Sequence, residues 1–235
     1  MIICRVKKFA IVWDFDGTIL PIDPFDSEQY LLTQRMTQPG QPFGWFKNRY
    51  SRAIIYADQH QRLRRTFKMS YMRLLKGTPS SLLDDVSRHL AEKISPADRN
   101  VLWKLNEDGF DMMVLSCGTA DLSERVLKFA GIYECFSLIE GNRFHFEADR
   151  IVGMDLRLPD PEEKLSMVQK LNLSPERTMV IGDGYTDFPL LNWSALPVII
   201  DRSGKNKNRL VANGFYFISA IPEITRIIEE NITSR

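Results

Sequence analysis

The sequence has little cysteine and little histidine, and this excludes several classes of site. Its 235 residues include three cysteines and three histidines. Cys4, Cys117 and Cys135 lack CxxC spacing, and their odd number and scatter predict free thiols in a reducing compartment. The histidines are widely spaced, and no zinc cluster is apparent.

Long apolar runs are also missing. No stretch approaches the roughly 18 uninterrupted apolar residues of a membrane-spanning helix. The opening segment MIICRVKKF lacks the apolar core and the small-residue cleavage site of a secretory signal. We therefore expect a cytoplasmic protein that makes no membrane contact.

The net charge is only +1, which argues against a dedicated nucleic-acid binder. The charge is nevertheless uneven, because residues 45–76 hold nine basic side chains against one acid, Asp58. This excess predicts an anionic ligand near the segment, although a solvated helix surface would explain each residue taken singly. Aromatic residues in the segment leave open a binding module, but at helical spacing they are more often core residues.

Short apolar runs bounded by turn residues predict buried strands. They lie at 9–14, 110–116, 178–182, 196–200 and 215–218. Helical patterns between them occupy 95–109, 121–130, 160–172, 205–213 and 221–231, and the weaker alternation at 144–158 predicts a hairpin or an excursion. Alternating strands and helices indicate an α/β fold with a mostly parallel sheet covered on both faces.

Residues 21–94 interrupt this alternation. The segment contains helical patterns at 26–37, 44–57, 60–76 and 79–93 and no evident buried strand. We interpret it as a helical domain inserted after the first strand, with residues 1–20 and 95–235 forming the core.

Polar residues follow several of the predicted strands. Asp14 and Asp16 follow the first, Ser116 ends the second, and Asp183 and Asp187 lie in GDGYTD after a later one. In an open parallel sheet, ligands bind beyond the carboxyl ends of the strands. Clustered carboxylates favour a hard cation such as Mg²⁺, which also accepts phosphate oxygens.

Two motifs invite other interpretations that the residues oppose. The stretch GDGYTD approaches the dinucleotide fingerprint GxGxxG, but aspartate stands in place of the third glycine. Its negative charge would face a pyrophosphate. Cys117 lacks the arginine that cysteine phosphatases carry six residues later, since residue 123 is serine.

Together, DFDGT, Ser116, Lys164 and GDGYTD resemble, in order and approximate spacing, the motifs of the haloacid dehalogenase-like superfamily. The helical insertion resembles the first-position cap of its phosphoserine-phosphatase-like branch. This resemblance implies a Rossmann-like three-layer core over nearly the whole chain, and a cap that determines substrate specificity. It also implies a phosphatase that hydrolyses a small-molecule phosphate ester.

The resemblance implies a role for each motif carboxylate. Asp14 would be the nucleophile that forms an aspartyl-phosphate. Asp16 would be the general acid for the leaving oxygen and then the base for water. The implied cofactor is Mg²⁺, held by Asp14, Asp183 and the Asp16 main-chain carbonyl, with Asp187 acting directly or through water.

The implied phosphate-binding residues lie on the same motifs. Ser116 and backbone amides at Cys117 and Gly118 would hold the phosphoryl group, and Lys164 would neutralise its charge. Thr18 would orient Asp16 or its loop. An acid at position 16 favours phosphoryl transfer over dehalogenation, because a halide leaves without a proton.

In the cap, Glu28, Arg49, Arg52 and Tyr56 are candidates for reading the rest of the substrate. A glutamate and an arginine do this for phosphoserine in that branch. Two alternatives stay open at this point: a phosphotransferase of the same superfamily, and a noncatalytic binding module that retains the fold.

Overall fold

The protein folds around a seven-stranded sheet with the order β4-β3-β2-β1-β5-β6-β7. The computed structural model describes residues 9–38, 44–59, 64–202 and 214–233. The strands are β1 (Ala10–Trp13), β2 (Asp111–Thr119), β3 (Phe136–Glu147), β4 (Arg150–Asp155), β5 (Thr178–Gly182), β6 (Leu196–Ile200) and β7 (Tyr216–Ile218). Neighbouring strands run parallel except β3 and β4, so the predicted mostly parallel sheet is confirmed.

The first strand lies at the centre of the sheet. All four of its residues are buried, as expected for the apolar sequence AIVW covered on both faces. Trp13 pairs with Val114 of β2 and with Ile181 of β5. Because Trp13, Val114 and Ile181 lie at the same level, the residues that come directly after them share one edge of the sheet.

Side chains that alternate along the strands divide the core into two layers of packing. On one face, Val12 and Val180 pack with residues of the helices that follow β4 and β5. On the other face, Ile11 and Trp13 belong to a larger cluster that also includes the inserted helices. The sheet is therefore the middle of three layers.

The helices fall into an inserted group and a core group. The inserted group is α1 (Ser27–Thr37), α2 (Gly44–Gln59), α3 (Arg64–Leu75) and α4 (Ser80–Ala91). The core group is α5 (Pro96–Glu107), α6 (Ala120–Phe129), α7 (Pro161–Lys170), α8 (Phe188–Trp193) and α9 (Ile224–Ile228). None of the helices in the described part of the chain is long and apolar enough to cross a membrane.

The start and end of α5 follow its sequence signals. The Ser95 side chain accepts a hydrogen bond from the Asp98 N–H, and Pro96 is the first helical residue. The helix gives way to Gly109, whose positive φ of 85° favours glycine.

The four inserted helices occupy the segment that we predicted to be helical. Helix α1 packs on α2 and α4, and α4 packs on α6 of the core. The bounds of the cap and core domains stay a prediction, since cap and core residues share one buried cluster.

Several parts of the structure differ from the sequence expectations, and one expectation falls outside the described residues. The predicted hairpin at 144–158 is present in β3 and β4, but β3 begins at Phe136 and extends the parallel sheet. The sequence pattern also missed α8, whose six residues are too few to show a helical period. The helix predicted at 205–213 lies outside the described residues.

The last predicted helix, 221–231, is divided. A 3₁₀ turn at Ile221–Glu223 precedes α9, and a π-helical segment at Glu229–Thr233 follows it.

Candidate active site

Three aspartates meet beyond the carboxyl ends of β1 and β5. Asp14 follows β1, and its N–H donates to the Ile181 carbonyl at 2.9 Å. Asp183 follows β5, and Asp187 closes a 3₁₀ turn four residues later. One carboxylate oxygen from each of the three lies within 4.8 Å of the others.

A buried lysine holds two of these carboxylates. Lys164 lies in the first turn of α7, which begins with a capping box between Asp160 and Glu163. Its side chain is 1% exposed, and Nζ donates to Asp14 Oδ1 and Asp187 Oδ1, both at 2.7 Å. Burial alone lowers the pKa of Lys164, but the two carboxylates raise it well above its usual value, so the ammonium stays charged.

One lysine does not balance three carboxylates. Burial and the neighbouring Asp187 raise the pKa of Asp14 to about 7 against the opposing effect of Lys164. Burial and the charge of Asp14 raise the pKa of Asp183 well above its usual value. These shifts show that the carboxylates disfavour one another's negative charge. A cation among their oxygens would relieve this repulsion, and clustered oxygen donors fit the ligand preference of Mg²⁺.

The carboxylates fit this Mg²⁺ role unequally. Asp14 and Asp183 would bind the ion through their carboxylates. Both carboxylate oxygens of Asp187 already accept hydrogen bonds from the protein. Oδ1 accepts from Lys164, and Oδ2 accepts from the Asp183 N–H at 3.2 Å. Its geometry suits an indirect role in positioning the loop of Asp183.

Two glycines make room for this cluster. Gly17 has φ of +83°, and a Cβ there would lie 2.0 Å from Asp183 Oδ2. A Cβ at Gly182 would lie 2.4 Å from the Asp187 carboxyl carbon. Any larger residue would displace a carboxylate from the cluster.

The second motif carboxylate faces the inserted helices. Ser27, the first residue of α1, donates from N to Asp16 Oδ1 at 2.8 Å and from Oγ to Oδ2 at 2.9 Å. Withdrawal from water raises the pKa of Asp16 to about 6, and the hydrogen bonds from Ser27 oppose this shift. A residue of the inserted helix α1 thus orients Asp16, which lies on the loop that follows β1 in the core.

The irregular last part of β2, residues 116–118, provides further polar groups that line the cavity with Asp14. Ser116 is buried, and its Oγ accepts from the Gly118 N–H at 2.9 Å. Asn142 of β3 donates from Nδ2 to the carbonyls of Cys117 at 2.8 Å and Gly118 at 3.2 Å. Its Oδ1 accepts from the N–H groups of Arg157 and Leu158. Sequence reasoning missed Asn142, because it lies on the part of β3 that carried no clear strand signal.

These groups open on a cavity of about 350 Å³ between core and inserted helices. Its lining residues are Asp14, Asp16, Ile22, Asp26, Glu28, Gln29, Lys68, Ser116, Cys117, Gly118, Pro159, Asp183, Gly184, Tyr185 and Thr186. Ile22 and Tyr185 line it and are exposed, so they lie at its opening.

A second buried charge pair lies on the cap side of the cavity. Lys68 of α3 binds Glu28 Oε2, and the Thr119 hydroxyl donates to Glu28 Oε1 at 2.5 Å. Glu28 follows Ser27 directly in α1, so the pair lies next to Asp16. Lys68 was one of nine basic residues in the segment 45–76, and no signal in the sequence indicated that this lysine would be buried.

Several predicted residues occupy other positions. The Thr18 side chain is buried without a hydrogen-bond partner among the described residues and does not line the cavity. Arg49, Arg52 and Tyr56 are exposed on α2, and the structure does not bring them to the cavity. Cys117 lines the cavity, but burial raises the pKa of its thiol, which disfavours the nucleophilic thiolate.

A protein-family comparison agrees with this fold and site. The family model described as haloacid dehalogenase-like hydrolase matches residues 11–192. The chain belongs to this family. A search of curated proteins found no significant match.

Solved structures of the same fold include hydrolases and phosphoserine phosphatases. A HAD family hydrolase from Salmonella enterica subsp. enterica serovar Typhi has a TM-score of 0.70 and 17% identity, covering 95% of this chain and 70% of that one. A phosphoserine phosphatase, solved as a phospho-aspartyl intermediate analogue, has a TM-score of 0.65 and 16% identity, covering 96% and 99%.

A phosphoserine phosphohydrolase-like protein from Francisella tularensis subsp. tularensis SCHU S4 has a TM-score of 0.67 and 15% identity, covering 94% and 99%. At these identities the likeness demonstrates a common fold.

Proposed function

We propose that the protein is a magnesium-dependent phosphomonoesterase that hydrolyses a small phosphate ester through an aspartyl-phosphate. The observation that carries the proposal is the pair of 2.7 Å hydrogen bonds from Lys164 to Asp14 and Asp187, with Asp183 in the same cluster. A phosphoserine phosphatase of the same fold has been solved as a phospho-aspartyl intermediate analogue, which supports this chemistry.

In the first step, Asp14 attacks phosphorus. Lys164 holds Asp14 Oδ1, so Oδ2 forms the new bond to phosphorus while the bond from phosphorus to the leaving oxygen breaks. Asp16 gives its proton to that oxygen, and the alcohol departs. Ser116 and the backbone amides next to it hold the equatorial oxygens, where negative charge is concentrated.

In the second step, water attacks the phosphorus of the aspartyl-phosphate. Asp16 takes the proton from the water, the bond from phosphorus to Oδ2 breaks, and the Asp14 carboxylate is restored. Ser27 keeps the Asp16 side chain in position through both steps. Mg²⁺, when bound, supplies positive charge for the phosphoryl oxygens.

The test is turnover of p-nitrophenyl phosphate by the purified full chain, measured with Mg²⁺ and after chelation. We expect phosphate release that requires the cation. The isosteric Asp14→Asn variant should reduce kcat by at least about 10³-fold, because it lacks the nucleophile. Asp85→Asn, on the exposed surface of α4, is the matched control.

Turnover by Asp14→Asn at the wild-type rate would contradict the nucleophile. A folded wild type that releases no phosphate would instead favour the noncatalytic binding module. Adding an alcohol acceptor separates hydrolysis from transfer, since transfer yields a new ester in place of free phosphate. The scattered cysteines support a cytoplasmic, reducing location for this reaction.

A further inference from the structure

The cavity has two ends of different charge. The carboxylates of Asp14 and Asp183 mark the end where phosphorus would react. Asp16 lies between this end and the cap, since its side chain is bound by Ser27 of α1. The group that leaves must extend past Asp16, and the next residues there are Glu28 and Lys68.

Glu28 is already occupied by donors of the protein. One carboxylate oxygen accepts the hydroxyl hydrogen of Thr119, and the other accepts from the Lys68 ammonium. Its negative charge is balanced by an adjacent positive charge in a buried position. A substrate ammonium would have to compete with Lys68 for it, so Glu28 is poorly suited to read an amino group.

The other acid on the cap side, Asp26, also has a structural partner. Its Oδ1 accepts from the Gln29 N–H at 2.7 Å and thereby caps α1. The positive end of the helix dipole lies at the same place and offsets part of this charge. Neither acid presents an uncompensated anionic site to the cavity.

Lys68 is in the opposite situation. Among the described residues that line the cavity, it is the one with a positive side chain. An ammonium has three N–H donors, and in the described part of the chain Glu28 is its one hydrogen-bond partner. A buried donor without an acceptor is unfavourable, so an oxygen of the substrate would complete the coordination of Lys68.

We propose that Lys68 selects the leaving group, and that the substrate is a phosphate monoester whose alcohol carries an oxygen acceptor, a hydroxyl or a carboxylate, and no ammonium. The proposal rests on the phosphatase function proposed above. It assigns to Glu28 the role of a positioning residue, which holds Lys68 through its carboxylate and is itself held by Thr119.

The test compares four esters that share a two-carbon alcohol and differ in its terminal group. They are 2-hydroxyethyl phosphate, phosphoglycolate, ethyl phosphate and phosphoethanolamine. For the wild-type full chain with Mg²⁺, we expect kcat/KM for the hydroxyl or the carboxylate ester to exceed that for ethyl phosphate by about tenfold. Phosphoethanolamine should fall below ethyl phosphate.

This series separates the failure of the two proposals. Equal values for all four esters, or a preference for phosphoethanolamine, would overturn the role of Lys68 and leave the phosphatase function standing. If neither the four esters nor p-nitrophenyl phosphate is hydrolysed, the phosphatase function itself is overturned. The wild-type measurement needs no variant to fold.

Variants then assign the selectivity to a residue. Lys68→Met should bring the ratio of the best oxygen-bearing ester to ethyl phosphate close to one. Lys76→Met, which removes an exposed lysine just beyond α3, should keep the wild-type ratio. A wild-type ratio in a folded Lys68→Met variant would refute the assignment.

Glu28→Gln provides a second variant that retains Lys68. Removing the balancing charge should raise the preference for phosphoglycolate over 2-hydroxyethyl phosphate, because the ammonium then attracts an anion more strongly. A loss of activity confined to phosphoethanolamine would instead show that Glu28 reads an ammonium, and would overturn the proposal.

Discussion

Two buried lysines, Lys164 in the core and Lys68 in the inserted helices, are held by carboxylates in different ways. Lys164 is shared by Asp14 and Asp187, so its charge is exceeded by that of its partners. Lys68 has Glu28 as its salt-bridge partner, and the two charges balance. The side chains of Lys164 and Lys68 are 1% and 9% exposed, so both depend on their partners to remain charged.

The difference separates two tasks within one cavity. The carboxylates clustered around Lys164 favour a divalent cation, and Lys164 holds Asp14, the proposed nucleophile, in a fixed position. The pair at Lys68 has no net charge to attract a metal cation, but the ammonium keeps N–H donors for a neutral or anionic substrate oxygen. The arrangement around Lys164 suits the reaction at phosphorus, and the pair of Lys68 and Glu28 suits selection of the leaving group.

The largest expected effect comes from removing the core lysine. Lys164→Met should reduce kcat for p-nitrophenyl phosphate by about 10³-fold, because Asp14 loses its anchor and the phosphoryl group loses a positive charge. Lys170→Met, at the exposed end of the same helix, is the control. A Lys164→Met variant that keeps a tenth of wild-type activity would contradict the assignment of Lys164 to the reaction and of Lys68 to selection.

Removing the cap lysine should affect stability strongly. Lys68→Met leaves Glu28 buried without its counter-charge, and we expect the free energy of unfolding to fall by about 3 kcal/mol in urea titrations. The double variant Lys68→Met/Glu28→Leu should recover most of this loss, since it replaces the pair with apolar groups. No recovery would mean that Lys68 stabilises the cap by some other contact.

A smaller effect is expected from the contact that links α1 to Asp16. Ser27→Ala removes the hydroxyl donor and keeps the main-chain N–H, so kcat should fall by about tenfold. Thr33→Ala, on the same helix, removes a hydroxyl that donates to the Gln29 carbonyl and serves as control. An unchanged kcat in Ser27→Ala would show that the main-chain donor suffices to orient Asp16.

The smallest effect should come from an exposed ion pair between α4 and α6. Arg125 Nε donates to Asp84 Oδ1 at 2.8 Å, and the Asp84 side chain is 45% exposed. Solvent screens this pair, so Asp84→Ala should lower the free energy of unfolding by about 0.5 kcal/mol. Asp85→Ala, whose partner Arg88 lies on the same helix, should have no measurable effect. If Asp84→Ala lowered the free energy of unfolding as much as Lys68→Met, burial would not explain the difference between the two ion pairs.

Much of the core arrangement follows from sequence pattern alone. Asp14, Ser116 and Asp183 each follow an apolar run, and parallel strands place their carboxyl ends at one edge. Because β1 lies between β2 and β5, these residues became neighbours although more than a hundred positions separate some of them. The helical insertion was equally visible, since α1 to α4 lack a strand pattern.

The cap side of the cavity was less predictable. Glu28 and Lys68 lie on different helices, and the rotation of α3 places Lys68 in the interior. Arg49 and Arg52 carry the same charge in the same segment, yet the structure places both at the surface. Helical periodicity describes one helix at a time, whereas this pairing depends on how two helices pack.

The start of β3 was missed for a related reason. Its residues alternate irregularly between buried and exposed, because one neighbour is parallel β2 and the other is antiparallel β4. A strand in this position lacks both the continuous apolar run of a central parallel strand and a clean alternation.

Asn142, on this strand, acts as a mechanical brace for the end of β2, which is distant from it in sequence. Its amide ties the end of β2 to the segment that leads into α7, and therefore to the helix that carries Lys164. Thermal displacement of either segment must strain the hydrogen bonds of the same side chain. Ser116 and Lys164, which would both act on one phosphate, are thus kept at a fixed spacing by a residue that need not touch it.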